Sequence, residues 1–443
     1  MDNCLLFTCH TFQERSLCLH PNLASRLGIH QSREIQICFG NRRVQAVVDF
    51  NGEMNENEAN LSSDIMNSLN IPVQCHFEIK IYENEFHIGP YIGLLAGYSN
   101  NSVKKKLDDL YDYMIQYRNI NGMIIAFSLE NIDKTNQIVE GYVFNPSKKQ
   151  WEKGKFPYPS SIFIMTSSVS SNWIKHFKSI SGDTVFNDYF FNKWEINNLF
   201  SSSIEVKDYL PEAILYKSQK ELYKFLIKHP YTIVKSKSPY GEPILYNLSR
   251  DRKYISLSSL SRGLIKSVHL GNKDQAYSLF DKYFKKGEMI VQESLDPKLY
   301  RKIDFRLIMT RNENDLWENM GMFARQKVTN IKTKNIYPLI KLEKQHLIDY
   351  FQFSELTSNI LMKEVIYIAC DAIKILEQQG IHIADVTFDM TIDEKGRIRI
   401  LDIEQCNPSH EIALIAGHPD LYFEILHTNM LYAKKLAGFP INN

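Results

Sequence analysis

The residues most able to do chemistry lie near the C-terminus. Residues 386–392 and 397–403 read as two strands joined by Asp393-Glu-Lys-Gly396. Side chains alternate along a strand, so Asp402 and Glu404 share one face and Asp389 reaches it from the first strand; Arg397 and Arg399 are expected to project the same way further along. Three carboxylates on one face repel one another unless protons or cations neutralise them, and hard oxygen donors are what Mg²⁺ takes. Asp389, Asp402 and Glu404 are therefore candidate metal ligands, set against the plainer alternative of a solvated hairpin with alternating acids. Upstream, Lys235 ends an apolar strand and leads into Ser-Lys-Ser-Pro-Tyr-Gly-Glu-Pro-Ile244, a turn-rich loop whose single glycine is Gly241. Backbone donors in such a loop can approach phosphate. Arg306 follows Asp304 on a strand and Arg325 ends the next. Guanidinium groups there can clamp phosphate or carboxylate oxygens in pairs, although pairing with local acids is the commoner role.

The elements that must position these groups follow from periodicity. Residues 217–229 form an amphipathic helix, 231–235 and 288–292 strands, and 305–310 with 316–325 an antiparallel pair around Asn312-Glu313-Asn314. Apolar residues at 361, 365, 368, 369, 372, 373 and 376 mark a long helix over 359–379 that stops at Gly380. Earlier in the chain, residues 34–39, 44–50 and 75–82 read as strands, 51–60 as a loop and 62–69 as a short helix. Residues 88–97 read as one buried strand whose Gly89, Gly93 and Gly97 allow close packing. Residues 103–117 read as helical, with strands at 122–128 and 138–144 pairing beside one another, an α/β alternation. The Ser- and Asn-rich stretch 160–205 reads as a connection that contains Lys193-Trp194. The expected organisation is a strand-rich unit over 1–87, a small α/β unit over 88–165, a connecting segment over 166–205 and a larger α+β unit over 206–443.

Composition narrows the class. At 443 residues the chain is long enough for two to four domains, and 44% hydrophobic with 23% charged residues marks a globular protein. With Lys+Arg 52 against Asp+Glu 51, the formal net charge is +1, which argues against bulk binding of a polyanion such as nucleic acid. No apolar run is long enough to span a bilayer, and the first twenty residues lack a basic start and apolar block, so a non-exported, non-membrane protein is expected. Seven cysteines without a CxxC pair read as reduced thiols; Cys4, Cys9, His10, Cys18 and His20 crowd the N-terminus without a standard zinc spacing and read as core or surface residues. Neither G-x-x-x-x-G-K-[ST] nor G-x-G-x-x-G occurs.

The ordered series of Lys235 with its loop, a strand ending in Gln292-Glu293, Asp304-x-Arg306, Arg325, the long helix and the acidic hairpin resembles an ATP-grasp domain. The resemblance is strongest to the spore-coat-associated ATP-grasp family, the YheC/YheD-like proteins of endospore-forming bacteria. It extends to His20-Pro-Asn-Leu-Ala-Ser-Arg-Leu-Gly28, Ile88-Gly-Pro-Tyr-Ile-Gly93, Phe144-Asn-Pro146, Trp151, Phe156-Pro-Tyr-Pro159, Phe191-Asn-Lys-Trp194, Leu210-Pro-Glu212 and Ala324-Arg325. It implies an ATP-grasp fold preceded by a small α/β domain and an N-terminal strand-rich domain, with ATP and Mg²⁺ held between two α+β subdomains. By position, it implies that Lys193 and Lys235 contact phosphates, Gln292 and Glu293 line the adenine and ribose, Arg306 and Arg325 face the transferred phosphate or a substrate carboxylate, and Asp389 is the first metal ligand. Active members join a carboxylate to an amine through an acylphosphate, so carboxylate and amine substrates or spore-coat proteins are the implied partners. Synthesis in the cytoplasm and association with the forespore or spore coat are the implied location.

The chain also departs from the family pattern. Ser236 follows Lys235 where the family has proline, and Pro243 stands where a late glycine is expected, which removes a backbone donor from the phosphate loop. Counting from Gly396 without gaps puts Asp402 at the family's glutamate and Glu404 at its asparagine; a shift by two matches Glu404 to the glutamate and puts Cys406 at the asparagine. A segment expected to carry paired glycines after Asn330 instead reads Ile-Lys-Thr-Lys-Asn-Ile, and Lys327, Lys332 and Lys334 read as a solvated face. These changes leave metal binding feasible, weigh against efficient phosphoryl transfer, and support as the alternative a non-catalytic coat or assembly component with a degenerate nucleotide site.

Overall fold

The structure, a computed structural model, describes all residues except 1–3, 11–13, 73–74, 168, 239–244, 260–263, 270, 295–302, 326–338, 342, 407 and 440–443. Gly241, Pro243 and the lysines at 327, 332 and 334 fall outside the described residues.

Seven strands close into a barrel in the order Cys4–His10, Glu58–Ser62, Ser16–Leu19, Arg42–Phe50, Glu34–Phe39, Glu85–Gly89 and His76–Tyr82, which pairs back with the first. Alternation fills its interior: Ile35, Ile37 and Phe39 point inward beside Phe7, Phe77 and Phe86, each at most 1% exposed. The stretch 51–60, read as a loop, supplies barrel strand Glu58–Ser62, which is too short for its alternation to stand out against the Asn-rich residues before it. The chain leaves the barrel at Pro90. What reads as one strand over 88–97 is two, Glu85–Gly89 in the barrel and Tyr91–Gly97 in the next sheet. A Cβ at Gly93 would strike the Pro159 ring and Phe127, and one at Gly97 would strike Ser102, so both glycines serve close packing.

The second sheet has six strands, with Tyr91–Gly97 central and parallel to both Met123–Asp133 and Ser161–Ile164. The helix read over 103–117 is broken into Asn100–Lys104, Leu107–Tyr111 and Tyr117–Ile120. Near the first break the Lys106 ammonium donates to the Ala96 carbonyl at 2.9 Å. The supposed connection over 166–205 contains helix Ser171–Ser181, strand Val185–Phe186 and helix Lys193–Ser201. Part of its polarity is cap chemistry. The Asn192 side chain accepts from the Trp194 and Glu195 backbones while the Glu195 carboxylate accepts from the Asn192 N–H, a capping box.

Two antiparallel sheets complete the molecule. One runs Ala213–Leu215, Met289–Glu293, Tyr231–Ser236, Leu245–Arg250, Tyr254–Ser259 and Leu264–His269, and shares a core with helices Gln219–Lys228 and Lys273–Tyr283. The other runs Leu339–Lys341, Trp317–Arg325, Ile303–Arg311, Asp385–Ile392 and Ile398–Glu404. Helix Glu355–Glu377 buries Leu361, Val365, Ile368 and Ala372 against Phe305, Phe388 and Met390 on one face of this last sheet. The opposite face is left for polar groups and for helix Pro419–Leu436, whose Lys434 pairs with Glu78 of the barrel and donates to the Asn119 carbonyl at 3.0 Å. No helix among the described residues is long and apolar enough to cross a membrane.

Candidate functional site

Arg306 on Ile303–Arg311 lies directly opposite Asp389 on Asp385–Ile392, and Asp389 opposite Asp402 on Ile398–Glu404. Between Asp389 and Met390 the register shifts by one residue, leaving Leu401 as a bulge. Without the bulge, Ile400 and Ile403 would fall on opposite faces; both lie in the apolar core beneath the sheet. The bulge is therefore what lets Arg399, Asp402 and Glu404 share the other face. It also frees the Leu401 carbonyl, which accepts from the Lys235 ammonium at 3.0 Å.

Arg306 holds two of the three acids. Its Nε and Nη2 donate to Asp389 Oδ1 and Oδ2 at 2.8 and 3.0 Å, and its Nη1 and Nη2 donate to Glu404 Oε2 and Oε1, both at 2.9 Å. Burial works against this cation, but the bonds to Asp389 and the fields of Asp389 and Glu404 raise its pKa above the ordinary arginine value. Asp402 pairs with Lys193. Burial pushes the Asp402 carboxyl up, yet Lys235 and Lys193 outweigh it and hold the group below its usual range. Burial likewise lowers the pKa of Lys235, and neighbouring Lys193 adds to that, against Asp402 and Asp389. Lys193, Lys235 and Arg306 thus balance Asp389, Asp402 and Glu404 in charge.

Lys193 arrives from the helix Lys193–Ser201. A lysine in the first helical turn is poorly placed against the helix dipole, and its ammonium reaches Asp402 instead. Its backbone is fixed on the neighbouring sheet by a bond from the Lys193 N–H to the Lys237 carbonyl at 3.2 Å, and two residues earlier the Phe191 N–H donates to the buried Gln405 side chain at 3.3 Å. Gln405 has no sequence signal beyond its place after the acidic strand. Gln292 is buried and lines, with Lys193, Lys235 and Asp402, a cavity of about 40 Å³ between the two sheets. Glu293 turns elsewhere: its carboxylate pairs with His229 Nδ1 at 3.0 Å and accepts from the Glu212 N–H at 3.2 Å. Arg325 ends its strand opposite Asp304.

The donor set suits a hard cation, since Asp389, Asp402 and Glu404 offer only oxygen. Asp389 and Glu404 have all four carboxylate oxygens engaged by Arg306, so a cation there must share or displace the guanidinium. The cavity of about 40 Å³ holds a water or two, whereas sites for ligands of drug size run to roughly 300–1,000 Å³. A nucleotide bound here would require the two sheets to part at the Lys193–Asp402 and Lys235–Leu401 contacts.

Residues 182–436 match the family described as "YheC/D like ATP-grasp", more than half of the chain. The endospore coat-associated protein YheD of Bacillus subtilis (strain 168) is 19% identical over 412 residues, covering 89% of this chain and 88% of that protein. Among solved structures, the ATP-grasp ligase PsnB complexed with minimal precursor is 10% identical, covers 77% of this chain and 100% of its own, and gives a TM-score of 0.44. The N5-carboxyaminoimidazole synthetase from Staphylococcus aureus complexed with ADP is 12% identical, covers 80% and 79%, and also scores 0.44. From the family match, the chain belongs to the YheC/D-like ATP-grasp family.

Proposed function

We propose that this protein binds ATP with Mg²⁺ between its two C-terminal sheets and uses it to join a carboxylate to an amine through an acylphosphate, in the setting of endospore formation or the spore coat. The observation that carries this reading is that separate elements bring Lys193 and Lys235 to Asp402 and its strand, and Arg306 to Asp389 and Glu404, with Asp389 and Asp402 directly paired between the two clusters. Asp389, Asp402 and Glu404 would hold the cation. Bound Mg²⁺ would supply charge neutralisation on the phosphates. Lys193 and Lys235 would turn from Asp402 and Leu401 to phosphate oxygens, and Arg306, freed from one carboxylate, would stabilise charge on the transferred phosphoryl group. Gln292, which lines the cavity between the sheets, would line the base.

A second reading, a non-catalytic coat or assembly component, is favoured by the small cavity and by the Arg306 bonds that fill both carboxylates. Calorimetry with ATP and Mg²⁺ separates the readings. Binding that requires Mg²⁺ and weakens in Asp389→Asn is expected, and absence of binding overturns the ligase reading. Release of ADP on adding candidate carboxylates and amines then distinguishes an enzyme from a binder.

A further inference from the structure

The barrel carries a second group of metal-type side chains, far from the acidic hairpin in sequence. Parallel pairing of Glu34–Phe39 with Glu85–Gly89 sets Cys38 opposite His87, and Glu85 lies two residues earlier on the same strand. Alternation turns Ile37 and Phe39 into the barrel and Cys38 outward, where it is nevertheless covered, at 5% exposure. One ligand atom from each of Cys38, Glu85 and His87 lies within 4.8 Å of the other two, the one such trio among the described residues. His87 Nε2 and Glu85 Oε2 are already 2.8 Å apart.

We propose that Cys38, Glu85 and His87 form a zinc site on the outer wall of the barrel, with one coordination position open to solvent. Bonds of about 2.0–2.3 Å at tetrahedral angles put ligand atoms roughly 3.3–3.6 Å apart, so rotamer adjustments suffice to close the trio and the His87–Glu85 hydrogen bond becomes a metal bridge. Thiolate, imidazole and carboxylate together select Zn²⁺ over Mg²⁺, and three protein ligands leave the fourth place to water or a ligand. Space exists for one: His87 also lines a solvent-open cavity of about 360 Å³, together with Arg43, Lys80, Thr184 and Phe439 among others. The barrel core is complete without the ion, which makes the site a binding centre rather than a folding staple.

Charge at the site is balanced without metal, and zinc would balance its own two anionic ligands. Without metal, Arg43 stands 4.0 Å from Glu85, and burial, then Glu85, push the Cys38 thiol up to about 11 against Arg43. Zinc would replace the thiol proton and compete with Arg43, giving a neutral Zn²⁺–thiolate–carboxylate set. Binding releases that proton, so affinity climbs with pH across the neutral range. The groups facing the thiol and its partners are Glu85 and His87 on one strand, Arg43 on the next, and Lys80 and Tyr82 on the strand paired with His87.

The test uses the full chain stripped with chelator and titrated with Co²⁺ alone, then Zn²⁺ alone. One cobalt per chain with a sulfur-to-metal charge-transfer band, bleached by one equivalent of zinc, is expected. Cys38→Ser abolishes the band, and His87→Gln and Glu85→Gln, whose side chains are partly exposed, keep the fold and weaken binding roughly tenfold or more. Cys9→Ser, Cys18→Ser and Asp389→Asn leave the band in place. Substoichiometric binding, cobalt bound without the band, or a band that survives Cys38→Ser or vanishes in Asp389→Asn overturns the assignment.

Discussion

Replacing Arg306 with glutamine tests whether the acidic cluster depends on this one guanidinium. The substitution removes four charge-assisted bonds and leaves Asp389 and Glu404 facing each other. The two arms differ in exposure: the Arg306 and Asp389 side chains are 14% and 17% exposed, and Glu404 is 44% exposed. Removing one partner of a buried pair costs about 3–5 kcal/mol, while an arm as open as Glu404 adds only about 0–1 kcal/mol. Asp389 is not fully sealed, so the lower end, about 3 kcal/mol, is expected. A chain with several cores will not unfold in one step, so the readout must be local. Hydrogen exchange of Ile303–Arg311 and Asp385–Ile392 should accelerate about a hundredfold in Arg306→Gln, and by much less in Tyr254–Ser259 of the other sheet. Adding Asp389→Asn removes the uncompensated charge, so the double variant should exchange more slowly than Arg306→Gln alone. Exchange within roughly threefold of the parent in the two strands, or strictly additive effects, would refute the argument.

Two further outcomes follow from the same structure. Asp402 has a folded-state pKa below its unfolded value, so the unfolded chain takes up more protons on acidification. Its contribution is present above about pH 4 and is lost as pH falls through the folded pKa. Thermal midpoints measured from pH 7 to 3 should fall less steeply in Asp402→Asn than in the parent, and parallel curves would contradict the charge assignment. Gly93→Ala places a methyl against Pro159 and Phe127 in the centre of the second sheet, which should cost about 1–3 kcal/mol and lower the midpoint of that unit's thermal transition. An unchanged midpoint would show that the strands can spread.

Much of the C-terminal half is legible from local pattern. The acidic hairpin, the Ile303–Arg311 and Trp317–Arg325 pair, the long helix ending near Gly380 and the strand bearing Lys235 each announce themselves by a period of two or 3.6. Less legible was the stretch 166–205. Its Ser and Asn residues suggest a connection, yet some of them are helix caps, and a cap looks like loop composition until the helix behind it is seen. The break at Pro90 was hidden for another reason: apolar residues continue on both sides of it, because each strand is buried in its own sheet.

Sequence alone determined which residues carry charge near the cleft and, through strand alternation, that Asp402 and Glu404 face the same way. Tertiary structure decided what neutralises them. Arg306 meets Asp389 because Ile303–Arg311 and Asp385–Ile392 pair across 83 residues of chain, Lys193 reaches Asp402 from a separate helix, and the bulge at Leu401 sets the final face. The same holds for Cys38 and His87, brought together by a parallel pairing within a closed barrel. Local periodicity fixes direction over a few residues; register between distant strands fixes which charges meet, and that register is written in the packing of whole sheets.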